Sequence, residues 1–537
     1  MQILLAALAL CAGPAEAPDT AVVCPRAFLS ALEPWLQYRE RQGHRVTLIS
    51  NTLSAEEIRA AIRVTAKSGG LKYVLLVGDA EPAADHDPEI RARCTPTYWV
   101  QAKVNVRWGS EPEIATDNWF ADLDDDRLPD VAIGRITADT PEELAAIVRK
   151  ILRYEQPSGR GEWQRQIHVV AGAGGFGLLA DSALEMATRK FLTEGLPPAY
   201  RTTMTYGNWQ SPYCPDPRLF HALTIERLNQ GGLFWVYIGH GRPRRLDAVR
   251  VPGGAFPILN ADDAGLLRCP QGCPIAVLLA CYTGAFDKLQ DCLGEELLRA
   301  PGGPAAVLCG SRVTMPYAMA VMGEALLDEC FRQRRQTVGE LVLHAKRRLA
   351  TAEHASDTRQ LLDAIAAAIS PSTEQVQEER LEHLDLFNLL GDPLLRLQYP
   401  QNLELRTADE IVAGGSLRIV GRSPLAGDGV LELVCRRDRT KATLPARPQF
   451  YPTDAFLRSF DTVYEQANDS VWTSQPFSST GGEFQTELTV PAECRGPCYV
   501  RVFLRDSQDT ALGAASVFVQ RPKAEQDVAA KRTPPRG

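Results

Sequence analysis

The chain has 537 residues, a formal net charge of −8, 45% hydrophobic and 23% charged residues. That length has room for roughly three domains, and the apolar content fills packed cores and excludes a disordered chain. The acidic balance gives no support to nucleic-acid binding, and no stretch after the N-terminus approaches the ~18 uninterrupted apolar residues of a membrane span.

In chain order, an apolar core from Ile3 to Leu10 followed by small residues to Ala17 reads as a secretory signal over residues 1–17. The expectation is export, to a secreted, periplasmic or cell-surface location. Thirteen cysteines suit an oxidising compartment. Cys269 with Cys273 and Cys494 with Cys498 are spaced for short disulfides or a zinc pair, although neither has a matching second Cys/His pair beside it.

Residues 18–138 alternate strands with helices. Ala21–Val23 and Val46–Ile49 flank an amphipathic segment from Phe28 to Gln42, and Ser54-Ala55-Glu56-Glu57 is a capping box opening a helix to Lys67. Tyr73 to Val77 is a buried strand ending in Gly78-Asp79. This alternation predicts a parallel sheet with helices on its faces. Asp122, Asp124, Asp126 and Asp130 occupy the first, third, fifth and ninth places of a calcium loop. Arg127 stands where the sixth-place Gly belongs and Ile133 where the closing Glu belongs, so a solvated acidic turn is the competing reading.

Residues 139–400 form a second α/β segment. Thr140-Pro141-Glu142-Glu143 caps a helix through Tyr154, and the strand Ile167–Ala171 runs into Gly172-Ala173-Gly174-Gly175. Leu233–Ile238 and Ile275–Ala280 are apolar runs too short for helices and bounded by Gly or Pro, which is how strands buried on both faces read. The first stops at Gly239-His240-Gly241 and the second at Ala280-Cys281. Ligands collect just outside the carboxyl ends of such strands, so His240 and Cys281 are placed to meet there. Imidazole is the side chain suited to generating a thiolate near neutral pH. Gly241 has no Cβ, so its N–H can approach a substrate carbonyl as an oxyanion donor. Val313, Met315 and Tyr317 follow a further strand, Ala305–Ser311, and lie on the same rim as candidates to shape a pocket. Asp357 to Glu382 reads as a polar helical excursion, a lid or an insertion. From residue 401 short alternating strands up to 520 mark a β-sandwich, and 521–537 reads as a disordered tail.

Tyr73–Asp79, Val131–Ile136, Tyr237–Gly241, Ala280-Cys281 and Gly391-Asp392-Pro393 occur in the order seen in gingipains, the C25 family of cysteine peptidases. Over about residues 20–400 the chain resembles that family. The resemblance implies a caspase-like catalytic unit of two parallel-sheet halves with flanking helices, followed by an immunoglobulin-like sandwich. It implies Cys281 as nucleophile, His240 as base, and the N–H groups of Gly241 and Cys281 as oxyanion donors. It further implies protein or peptide substrates, calcium use and no organic cofactor. The family's glutamate on the glycine-rich turn is replaced here by Ala173. Asp181 matches the floor of the pocket that takes a basic P1 residue in arginine-specific members, although Asp is also a favoured helix N-cap. The alternative function is a catalytically weak or transpeptidase-like relative acting in cell-surface export and sorting.

Overall fold

The computed structural model describes residues 17–174, 191–351, 356–370 and 372–522. The signal segment short of Ala17, Asp181, and the tail from 523 lie outside the described residues.

Ten strands form one sheet: β1 (Thr20–Cys24), β2 (Val46–Ser50), β3 (Tyr73–Val77), β4 (Ala132–Ile136), β5 (Gln166–Ala171), β6 (Arg201–Tyr206), β7 (Phe234–Ile238), β8 (Ile275–Leu279), β9 (Ala306–Gly310) and β10 (Phe387–Leu390). Their order is β2-β1-β3-β4-β10-β9-β8-β7-β5-β6, parallel except where β10 runs against β9. The two expected halves are therefore one continuous layer joined through β10. Every residue of β1, β3, β8 and β9 is buried, as unbroken apolar runs require of strands covered on both faces.

The expected caps are present, Ser54 forming a capping box with Glu57 and Thr140 accepting from the N–H of Glu143, and Thr337 forms a further capping box with Glu340. The join between halves explains the Gly-Asp-Pro motif. A Cβ on Gly134 would stand 2.5 Å from the carbonyl oxygen of Gly391, so glycine lets β4 and the end of β10 approach. Asp392 then accepts from Trp35 Nε1 at 2.6 Å and from Arg39 at 2.5 Å, while Arg39 also pairs with Glu155 at 2.9 Å.

The excursion after residue 356 is two helices, Asp357–Ile369 and Thr373–Leu386. Beyond residue 400 lies a seven-stranded sheet with its own core, including Leu417, Ile419, Leu431, Val500 and Val502. Where short alternating strands were expected, Ser416–Cys435 is one long strand. Sequence reading missed the helix Asp454–Asn468, although the Thr453 cap and the apolar spacing Leu457, Phe460, Val463, Tyr464 encode it. That helix covers the sheet edge at β6, where Asn468 Oδ1 accepts from the N–H of Met204 at 2.7 Å and the hydroxyls of Tyr464 and Thr205 lie 3.0 Å apart.

Candidate active site at the strand ends

Strands β7 and β8 are parallel neighbours with Ile238 opposite Leu279. Two steps further along that register lie His240 and Cys281, at the same end of adjacent strands ~4.8 Å apart. A side chain on Gly241 would collide with the carbonyl oxygen of Cys281 and come within 2.8 Å of Thr283 and 2.9 Å of Ala280. Glycine is thus what lets the His240–Gly241 backbone lie directly on the Cys281 turn.

Of the twelve described cysteines, all are free thiols and only Cys281 is not buried. Burial pushes others far up, Cys24 and Cys330 to about 12, which keeps them protonated near neutral pH. The expected disulfide partners are unbonded, with the Sγ atoms of Cys494 and Cys498 3.8 Å apart.

The turn carrying Cys281 is tightly held. Tyr282 has φ +60°, a left-handed conformation uncommon for a bulky residue. Its N–H donates to Arg312 O at 3.1 Å and its hydroxyl to Glu111 Oε2 at 2.7 Å. Asp287, at the end of the turn, accepts from Arg312 at 2.8 and 2.5 Å. The N–H of Cys281 has no hydrogen-bond partner among the described residues, so it is open to a developing oxyanion. Cys281 Sγ accepts from the N–H of Thr314 at 3.3 Å, a donor that sequence reading missed because it lies on the neighbouring strand's loop.

Met315 is half-buried on this rim, and its N–H donates to His383 Nε2 at 2.8 Å. His383 is fully buried and its Nδ1 lies 2.6 Å from Glu379 O, so the ring is the neutral Nδ1–H tautomer; burial lowers its pKa to about 4. The residue just before it, Glu382, accepts from the backbone N–H groups of Lys103, Val104 and Asn105 at 2.5, 2.8 and 2.8 Å. The helical excursion is therefore a clamp on two rim loops.

On the histidine side, the buried hydroxyl of Tyr237 donates to His240 O at 2.8 Å and accepts from the N–H of Asp247 at 3.3 Å. A Cβ on Gly172 or Gly239 would come within 2.7 Å of that hydroxyl. At the glycine-rich turn, where Ala173 stands, the N–H of Ala173 donates to Asp247 Oδ2 at 3.4 Å, and the Asp247 side chain is 7% exposed.

A family model described as peptidase family C25 matches residues 13–398. The chain belongs to peptidase family C25. It is similar to Lys-gingipain W83 of Porphyromonas gingivalis, 24% identical over 306 residues covering 54% of this chain and 15% of that protein. It is also similar to gingipain R2 of the same organism, 20% identical over 409 residues covering 73% of this chain and 48% of that protein. The chain thus spans less than half the length of these curated relatives. The crystal structure of the Arg-specific cysteine proteinase gingipain R matches with a TM-score of 0.52 at 15% identity, over 95% of this chain and 99% of that one, which shows the shared fold.

In this C25 chain three groups of carboxylates among the described residues could hold a hard cation, one of them Asp79, Glu81 and Asp139, where Arg93 pairs with both Glu81 and Asp139. Oxygens of Asp122, Asp124 and Asp130 lie within 4.8 Å of one another, and Asp126 is outside that group because its carboxylate instead accepts from the N–H of Leu128 at 2.7 Å. Arg127 has φ +72°, the turn geometry that a sixth-place glycine would supply. Asp122 is however paired with Arg59 at 3.2 Å and Asp130 with Arg347 at 3.4 Å. The remaining group, which the sequence spacing did not reveal, is Asp79, Asp291 and Glu295, also within 4.8 Å. Glu295 Oε1 is buried without a hydrogen bond, its nearest cation being Arg299 Nη2 at 3.8 Å, and Arg299 also pairs with Asp291 at 2.6 Å; burial holds the Asp79 and Glu295 carboxyls above their usual range. Those features suit an oxygen-ligated cation. Among the described residues no helix is long and apolar enough to cross a membrane.

Proposed function

We propose that this chain is an exported cysteine endopeptidase acting through a Cys281–His240 dyad. The observation that carries the reading is the closure of the Gly241 backbone onto Cys281, the sole described cysteine that is not buried. His240 takes the thiol proton and the thiolate attacks the scissile carbonyl. The oxyanion is received by the N–H groups of Gly241 and Cys281. His240 returns the proton to the leaving amine, and water releases the acyl group as a free acid. The N–H of Thr314 stabilises the thiolate at rest. Met315 lines the acyl side of the cleft, and Asp181 selects Arg or Lys at P1 by charge pairing; Asp181→Asn would then lower the Arg-over-Leu preference.

Cys281→Ala should abolish hydrolysis and labelling by a peptidyl acyloxymethyl-ketone while leaving the melting curve unchanged. Full activity in that variant would sink the assignment. Product analysis separates hydrolysis from transpeptidation, since only the latter leaves an amide product.

Calcium is part of the same proposal. The Asp79–Asp291–Glu295 group is more buried than that of Asp122, Asp124 and Asp130, with Arg299 paired to Asp291 at 2.6 Å and to Glu295 Oε1 at 3.8 Å, while Arg59 and Arg347 answer Asp122 and Asp130 in the other. EDTA should lower the melting temperature and calcium restore it, with Asp291→Asn weakening that response more than Asp124→Asn. An EDTA scan identical to the untreated one would leave both groups as ion-pair networks.

A further inference from the structure

Directly after His240 the chain makes a small hairpin in which Gly241 faces Leu246 and Arg242 faces Arg245. Leu246 is buried, and side chains alternate between faces along a strand, so the two arginines stand on the opposite, solvent side; both are exposed. Like charges directly opposed across an antiparallel pair are destabilising. The chain carries a net charge of −8, so this pair is not a consequence of general basicity.

The hairpin is held firmly by everything except those two side chains. Arg244, at its tip, donates to Asp291 O at 2.7 Å and to Asp262 Oδ1 at 2.7 Å, and pairs with Glu296 at 3.3 Å. The N–H of Leu293 donates to Pro243 O at 2.6 Å and that of Ala261 to Arg244 O at 2.8 Å. The backbone of Arg245 also bridges to Asn260. Arg250, on the next hairpin, has Asp247 at 3.8 Å. Arg242 and Arg245 alone on these loops have no carboxylate at ion-pair distance among the described residues. The Cα of Arg242 is one peptide unit, ~3.8 Å, from that of Gly241, so the pair sits on the lip of the cleft beside the reacting bond.

Resting on the peptidase reading above, we infer that Arg242 and Arg245 form a carboxylate-binding subsite that makes the enzyme prefer substrates with a negative charge within about two residues of the scissile bond. Two guanidiniums on paired residues of one face offer the forked donors that a carboxylate accepts. A bound carboxylate also relieves the repulsion between them. The carboxylate is either an Asp or Glu side chain or the free C-terminus of a short peptide.

The test is a set of peptides around one cleavable core, with Glu or Gln scanned through the three positions on each side of the cut. A parallel set ends two residues after the cut as free acid or as amide. At one position Glu should be cleaved roughly five- to tenfold better than Gln, or the free acid better than the amide by the same factor, and 0.5 M salt should shrink the ratio. In the Arg242→Gln/Arg245→Gln double variant the ratio should fall to about one. Arg245→Glu, which keeps a charged exposed residue, should turn the preference toward Lys at that position. A melting curve for each variant reads folding. A wild-type ratio of one at every position, or an unchanged ratio in both variants, overturns the inference while leaving the peptidase reading standing. No cleavage of any peptide and no labelling of Cys281 overturns both.

Discussion

The two halves of the main sheet have the same architecture and opposite strand ends. In the first half the carboxyl ends of β3 and β4 are filled by buried ion pairs. Arg135 is fully buried and meets Asp117 through two 2.7 Å contacts while donating to the carbonyls of Gly78, Thr95 and Pro96. In the second half the ends of β7 and β8 carry His240 and Cys281, both half-exposed, and glycines at 239 and 241 keep the space around them free of side chains. One fold therefore yields a locked rim or an open one according to the two or three residues placed after each strand. The locked half matters to the open one, because Glu111, Trp99 and Asn105 reach across from it to Tyr282, Asp287 and Val313.

The sharpest way to break the comparison is to open the locked end. Asp117→Ala leaves the guanidinium of Arg135 buried without its carboxylate, and removing one partner of a buried pair costs about 3–5 kcal/mol. Thermal unfolding should fall by on the order of 10 °C. If the melting temperature hardly moves, water must reach Arg135 and the first half is not a rigid support for the second.

How much of this was legible follows the same division. The strand ends of the second half could be read directly, because apolar runs stopping at Gly-His-Gly and Ala-Cys carry their chemistry within one local stretch. The helix caps at Ser54, Thr140 and Thr337 were local too. The single ten-stranded sheet was not, since β10 enters between β4 and β9 from residues far along the chain. Nor were Thr314, Glu382 and His383, whose roles depend on loops brought together from separate strands. The acidic group at Asp79, Asp291 and Glu295 was missed for the same reason, whereas the Asp122 spacing was visible and yet included Asp126, whose side chain serves its own turn.

A smaller effect comes from acid. His383 accepts the N–H of Met315 while neutral, and burial lowers its pKa to about 4 from the usual ~6.5. Between those values the unfolded chain binds a proton that the folded chain does not. Stability is therefore fully present above pH ~6.5 and is lost as pH falls toward 4, by at most about 3 kcal/mol for this residue. His168, lowered to about 4 by burial, adds to the same window. His383→Gln keeps an acceptor for Met315 and removes the titration, so its melting temperature should decline less steeply from pH 6.5 to 4. Parallel slopes for the two proteins would show that His383 is not part of the acid sensitivity.

The smallest expected effect tests how the locked half reaches the open one. Tyr282 follows Cys281 in a left-handed conformation, and strain of this kind persists only where surrounding structure holds it. The tether is its hydroxyl bond to Glu111, which lies on the first half and also pairs with Lys288 at 3.1 Å. Tyr282→Phe removes one hydrogen bond at a half-exposed position, worth about 1 kcal/mol or less, so the melting temperature should drop by only a few degrees. If the bond positions the Cys281 turn, kcat/KM should fall several-fold while KM changes little, because misplacement of the reacting atoms is felt in the chemical step. Glu111→Gln should act in the same direction. The double variant decides the matter: two residues acting through one bond lose less together than the product of their separate losses. Fully multiplicative losses would mean that Tyr282 and Glu111 act independently, and that the second half holds the Cys281 turn without help from the first.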